Sequence, residues 1–177
     1  MHYHFKSERL GFREWQASDL EPFAALNADE EVMEFFPKKL TQEQTELFID
    51  ISTAHFQAHG FGWYAVDLLE TGRFIGFIGF QHVKFDAPFT PAIEVGWRLD
   101  KDYWNQGLAT EGAKACLQHG WEKLDFETVH SFTASVNKRS ARVMQKIGMH
   151  YESNFMHPKV EKGHLLEEHV LYRIDRP

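Results

Sequence analysis

Residues 103–116 read YWNQGLATEGAKAC: an aromatic pair, a short polar turn ending in Gly107, then a run with almost no bulky side chain before Leu117. Leu108, Ala109, Ala113, Cys116, Leu117, Gly120, Trp121 and Leu124 follow a helical period, which predicts a helix from the turn to about Lys123. The stretch Ala92–Leu99 before it and Thr128–Ala134 after it both have strand character, so the segment reads as a β-α-β unit. Such a unit forces its two strands to lie parallel, joined by a right-handed crossover. It also aims the mouth of the helix at a strand end.

The first N–H groups of a helix lack internal partners, and the peptide dipoles place roughly half an elementary positive charge there. A phosphate is a natural occupant of such a corner. Gly107 has no side chain to block close approach and Ala109 nearly none, while the side chains of Gln106 and Thr110 are hydrogen-bond donors. The alternative is that Gly107 only makes a tight turn and the small residues only pack the helix on a sheet. Neither GxxxxGK[ST] nor a GxGxxG after a strand occurs, which sets aside two common nucleotide folds.

Outward from this unit the chain is regular. Leu10–Trp15 alternates as a strand, and SDLE at 18–21 matches a capping box for a helix to about Ala28. A second box, TQEQ at 41–44, opens a longer helix with Leu47, Phe48, Ile51, Ala54 and Ala58 on one stripe, closed by Gly60 and Gly62. Trp63–Leu68 and Arg73–Val83 flank ETGR as a hairpin, and KFDAPFTP at 84–91 is an exposed loop. After Thr128–Ala134 come a short helix, about Ser140–Ile147, stopped by Gly148, and two strands, about Met149–Met156 and Glu167–Ile174. This predicts an α/β fold: a mixed sheet of about seven strands with helices on its faces, in one domain spanning 1–177.

The 177 residues are 43% hydrophobic and include 16 Phe, enough for a packed interior. The formal charge of −7 offers no general attraction to nucleic acid or an anionic membrane. Cys116 is the single cysteine, so no internal disulfide forms and a reducing, cytoplasmic setting is expected. FIGFIGF at 74–80, the longest apolar run, is far too short for a membrane span, and MHYHFKSERL lacks the apolar segment of a signal peptide. Eleven histidines are scattered apart from His2 and His4, with no HExxH, so no metal is expected.

Four stretches resemble the Gcn5-related N-acetyltransferase (GNAT) superfamily, and within it the ribosomal-protein-alanine (RimJ/RimL-like) N-terminal acetyltransferases. They are SERLGFREWQASDLEPFAAL at 7–26, EVGWRLDKDYWNQGLATEGAKA at 94–115, SVNKRSARVMQKIGM at 135–149 and HVLYRI at 169–174. The superfamily pattern [QR]-x-x-G-x-[GA] falls on Trp104–Ala109, with Trp104 replacing Gln or Arg, as is familiar in that branch. The resemblance implies a splayed parallel strand pair and acetyl-CoA as cosubstrate, without a metal. It implies pyrophosphate contacts from the main-chain amides of Gln106, Gly107, Leu108, Ala109 and Thr110, and a pantetheine arm along Trp97, Arg98 and Leu99. Asn137 is implied to hold the arm from the other side and Arg142 to approach the adenine or ribose phosphate.

The implied reaction is direct attack of an amine on the thioester. Glu94 is the candidate base and Ser140 a candidate acid, since Met144 stands where many members have tyrosine; an N-cap role is the alternative for Ser140. Phe35, Phe36, Phe85 and Phe89 are candidates for the acceptor pocket, with core packing as the alternative. The expected acceptor is a protein N-terminal α-amine or small primary amine. Polyamine or aminoglycoside acetylation, or a non-catalytic CoA-binding module, are the rivals. A monomer or homodimer with no nucleic-acid or membrane partner is expected.

Overall fold

The computed structural model describes residues 2–177. In chain order the elements are β1 (Phe5–Lys6), β2 (Leu10–Arg13), α1 (Leu20–Ala28), α2 (Gln42–His59), β3 (Trp63–Leu68), β4 (Arg73–His82) and β5 (Ile93–Leu99). They continue with α3 (Leu108–Lys123), β6 (Thr128–Ala134), α4 (Lys138–Lys146), β7 (His150–Met156) and β8 (Glu168–Asp175). All eight strands form one sheet in the order β1-β2-β3-β4-β5-β6-β8-β7. The extra strand is the short β1, which pairs Phe5 with Phe12 and Lys6 with Gly11.

Every neighbouring pair is antiparallel except β5 and β6. β4 and β5 stay in register from Gly76↔Leu99 to His82↔Ile93. The parallel pair meets in one place, Glu94↔His130, and is unpaired beyond it. Strand alternation sends Leu10, Phe12, Tyr64, Val66, Ile78, Phe80 and Val95 to one face, where they pack with Leu108, Ala113, Cys116 and Leu117 of α3. The other face buries Phe77 with Phe23, Leu26, Val32 and Met33, flanked by Trp15, Phe48 and Trp63. Gly112 lets α3 lie close to the sheet: a Cβ there would sit 2.3 Å from the Ile78 side chain.

Three local expectations are corrected. The box at 18–21 does not form; the chain makes a 3₁₀ turn over Ala17–Asp19, and the Asp19 carboxylate accepts from the Gln16 N–H at 2.8 Å. α4 starts earlier than Ser140, capped by the Asn137 side chain, which accepts from the Ser140 N–H at 3.1 Å. Ser140 is therefore inside the first turn and is not the cap.

The third correction is the buried face of α2. Leu47 and Ile51 are 56% and 44% exposed, while Thr45, Ser52 and His55 are buried. The polar residues face inward because each is satisfied there: Thr45 Oγ1 donates to Thr41 O and Ser52 Oγ to Phe48 O, both four residues back. His55 Nδ1 is bonded to Phe61 O at 2.9 Å.

Candidate active site

Where β5 and β6 separate, a cleft of about 670 Å³ opens, with Gly96–Leu99 on one wall and Ser131–Ala134 on the other. The loop before α3 closes one end. Asn105 and Gly107 both take left-handed backbone angles, φ 60° and 79°. Gly107 is the N-cap of α3 and supplies no capping side chain. Among the described residues, the main-chain N–H groups from Asn105 to Thr110 have no protein acceptor, and the ladder resumes where Glu111 N–H donates to Gly107 O. Successive free donors across this turn and the first turn of α3 are the kind of group that an anion can bind.

Gln106 departs from expectation. Its side chain is absent from the cleft wall and donates to Asp102 O at 3.1 Å, leaving only its amide for an anion. Thr110, Ala109, Leu108 and Gly107 do line the cleft, as do Trp97, Arg98 and Leu99. Trp104 Nε1 donates to Leu99 O, which ties the loop to the end of β5. Arg9, which nothing in the local sequence marks, braces the loop from outside. Its Nη1 donates to Gln106 O at 3.1 Å while its Nε donates to Glu111 Oε2 at 2.7 Å.

α4 forms the far wall through Asn137, Arg139, Ser140, Arg142, Val143 and Lys146. The Asn137 amide is already engaged, donating to Thr133 Oγ1 as well as accepting from Ser140 N–H. Arg142 is exposed, and Lys146 lies one turn further along the same face. Arg139 lies 4.5 Å over the Trp104 ring and pairs with Glu34 at 2.6 Å, so it ties α4 to the segment carrying Phe35 and Phe36. Met144 is 1% exposed in the core and leaves no acid group at that position.

Alternation along β5 places Glu94, Gly96 and Arg98 on one face of the sheet. Glu94 keeps partial access to the cleft, yet its carboxyl is hemmed in by protein. Burial raises its pKa to about 8, opposed by the charges of Lys159 and Lys84. Among the described residues, no ion pair or side-chain hydrogen bond holds this carboxyl. Arg98 stacks 4.1 Å over Phe36, with Phe77 and Phe48 at 5.5 and 5.8 Å. Its Nη1 donates to Asn27 Oδ1 at 2.7 Å, its Nε is buried without a partner, and burial lowers its pKa to about 10.

Phe35 and Phe36 line this end of the cleft together with Phe48, Trp63 and Phe77. Phe85 and Phe89 do not. Their rings pack against Phe132 and Phe155, and Phe85 lies 4.6 Å from His157, one shell out from the cleft lining, because the loop over 84–91 packs on these side chains. His157 and His169, with rings 4.7 Å apart, stand on the cleft instead. Burial pulls both below the usual imidazole range, His157 to about 4, which favours the neutral rings. No motif marks His157, and the HVLYRI stretch that begins at His169 gave that residue no role; strand pairing brings them together.

Residues 9–150 match the family described as the acetyltransferase (GNAT) domain. The chain belongs to that family. An uncharacterized N-acetyltransferase of Bacillus subtilis, YnaD, is 28% identical over 172 residues, 97% of this chain and 96% of its own. A solved GNAT-family acetyltransferase from Bacillus anthracis superposes with a TM-score of 0.80 at 27% identity, covering 96% of both chains. RimL, a ribosomal L7/L12 α-N-protein acetyltransferase in complex with coenzyme A, shares the fold at 17% identity and a TM-score of 0.77, covering 96% of this chain and 95% of RimL. The protein is an acyltransferase of the GNAT type, with acetyl-CoA as the family's donor and an amine as acceptor.

Proposed function

We propose that this enzyme acetylates an α-amine that carries an oxygen acceptor close by, as a peptide N-terminus or an amino acid does. The observation that carries this is Arg98: a half-buried guanidinium on the cleft wall, stacked on aromatics, with its Nε shut from solvent and no carboxylate partner among the described residues. A buried cation is stable when paired, and a carbonyl or carboxylate of the acceptor completes its hydrogen bonding. The same charge disfavours a polyamine, whose several ammonium groups have nothing to gain beside it.

Acetyl-CoA supplies the thioester. The free amides from Asn105 to Thr110 suit its pyrophosphate, Arg142 and Lys146 suit a further phosphate, and the unpaired stretch of β5 from Gly96 to Leu99 suits the pantetheine arm. Main-chain N–H groups freed by the same split are available to an oxyanion.

Deprotonating a lysine-like amine at pH 7 costs about 4.6 kcal/mol, whereas an α-amine near pKa 7.8 costs about 1 kcal/mol. Glu94, at about 8, is matched to an α-amine and takes the proton as the C–N bond forms and the C–S bond breaks. The departing thiolate, of pKa about 8.5, needs only modest help from Ser140 or water.

Thiol release from acetyl-CoA, measured over N-terminal peptides, amino acids, spermidine and an aminoglycoside, tests the reading. Peptides or amino acids are expected to turn over fastest. A polyamine or aminoglycoside preference overturns the acceptor class, and no turnover on any amine supports a CoA-binding module. Gly107→Glu, placing a bulky anion on a left-handed residue beside the free amides, is expected to weaken coenzyme binding about a hundredfold by calorimetry with the fold retained.

A further inference from the structure

We propose a second site, outside the cleft: a three-histidine site for a divalent transition metal, formed by His55, His59 and His82. His55 and His59 stand one turn apart at the end of α2, and His82 is the last residue of β4. One ring nitrogen from each lies within 4.8 Å of the other two. The rings are 4.5 Å apart for His55–His59, 5.2 Å for His55–His82 and 4.5 Å for His59–His82. None of the three lines the acyl-transfer cleft.

The orientation of His55 argues for a ligand. A carbonyl only accepts, so the 2.9 Å contact between His55 Nδ1 and Phe61 O fixes the proton on Nδ1. Nε2 is then the acceptor, taking hydrogen bonds from His82 Nδ1 at 3.0 Å and from the His82 main-chain N–H at 3.5 Å. An imidazole held by a backbone carbonyl behind, with its acceptor nitrogen turned to a second histidine, has the orientation of a metal-bound histidine; a metal would replace the proton that the two rings share. Nitrogens around a tetrahedral zinc stand roughly 3.3 Å apart, from zinc–nitrogen bonds of about 2.0–2.1 Å. Reaching that geometry takes a small opening of the His55–His82 pair and rotation of His59, which is exposed.

The burial gradient fits entry from solvent: His55 is buried, His82 half-buried and His59 exposed, which leaves the fourth position to water. Three imidazoles without carboxylate or thiolate select Zn²⁺, Co²⁺, Ni²⁺ or Cu²⁺ over Mg²⁺ and Ca²⁺. The ion pins the end of α2 to β4. α2 also carries Phe48 of the cleft wall and Thr45, which accepts from Asn27, the partner of Arg98.

The test uses the full-length chain after chelator treatment, titrated with ZnCl₂ by calorimetry and with CoCl₂ by visible absorption. One equivalent is expected to bind at or below about 10 μM, with cobalt bands of a tetrahedral site and a zinc-dependent rise in melting temperature of about 5 °C or more at saturating metal. His59→Gln and His82→Gln should each weaken zinc binding at least tenfold; the exposed His59 makes the first variant safe for folding. His2→Gln and His4→Gln, which dismantle a rival pair of neighbouring rings, should leave it unchanged. Binding only at millimolar zinc, binding unmoved by the His59 and His82 variants, or binding lost with His2 or His4 overturns the proposal.

Discussion

Two arginines reach into the same face of the sheet, and their surroundings differ. Arg13, at the end of β2, is 3% exposed and donates to both carboxylate oxygens of Asp67 and both of Asp19, at 2.6–2.9 Å. Burial alone would weaken its charge, but the hydrogen bonds it donates to the two aspartates overcome that and raise its pKa. Arg98, on β5, has only a neutral amide oxygen, aromatic faces and an orphaned Nε. The fold supplies two counter-ions where the cation fastens β2, β3 and the turn into α1. It supplies none where the cation meets the cleft. A charge paired on all sides holds the fold together; a charge left open beside a cavity is available to a ligand, which is the role proposed for Arg98.

The largest effect expected from this contrast is on Arg13. Arg13→Met leaves two buried carboxylates without a counter-ion and should cost about 3–5 kcal/mol in chemical denaturation. A loss under about 1 kcal/mol would erase the distinction.

Glu94 tests the open end of the contrast. Glu94→Gln should lower kcat about a hundredfold with peptide acceptors and remove the enzyme's own contribution, near 8, to the rise of kcat/KM with pH, leaving the contribution of the α-amine. Stability carries a second signature. Its folded pKa is raised, so the contribution of the neutral Glu94 is full below the unfolded value near 4.3 and is lost as pH rises through about 8. The Gln variant should therefore gain in melting temperature relative to the parent between pH 5 and pH 8.5.

Arg98→Met should cost under about 1 kcal/mol of stability, because a hydrophobic chain replaces an unpaired cation. It should raise the acceptor KM about tenfold and leave coenzyme affinity unchanged, read by steady-state kinetics and calorimetry. Loss of coenzyme binding instead would move Arg98 to the donor side. Asn27→Asp sharpens the comparison by giving Arg98 the counter-ion that Arg13 already has. A two- to fivefold rise in acceptor KM is expected, the smallest of these effects.

Much of this was readable along the chain. The free-amide corner at Gly107 follows from small residues at a helix start, and the apolar face of α3 from its period; both depend on neighbours within four residues. The parallel β5–β6 pair follows from β-α-β connectivity. The inward face of α2 was misread because its apolar stripe is real, but Thr45 and Ser52 satisfy their hydroxyls on the helix itself and take the buried side.

Sequence by itself thus determined the order of elements and the helix mouth, because periodicity, caps and connection lengths are local. Tertiary structure alone decided that Arg98 lacks a counter-ion, that Phe85 and Phe89 pack one shell out from the cleft lining while His157 and His169 face the cleft, and that three separated histidines meet. Those outcomes depend on strand register and on where each loop folds back. Contacts between residues 27 and 98, or 55 and 82, are set by the packing of the whole sheet and leave no local mark in the chain.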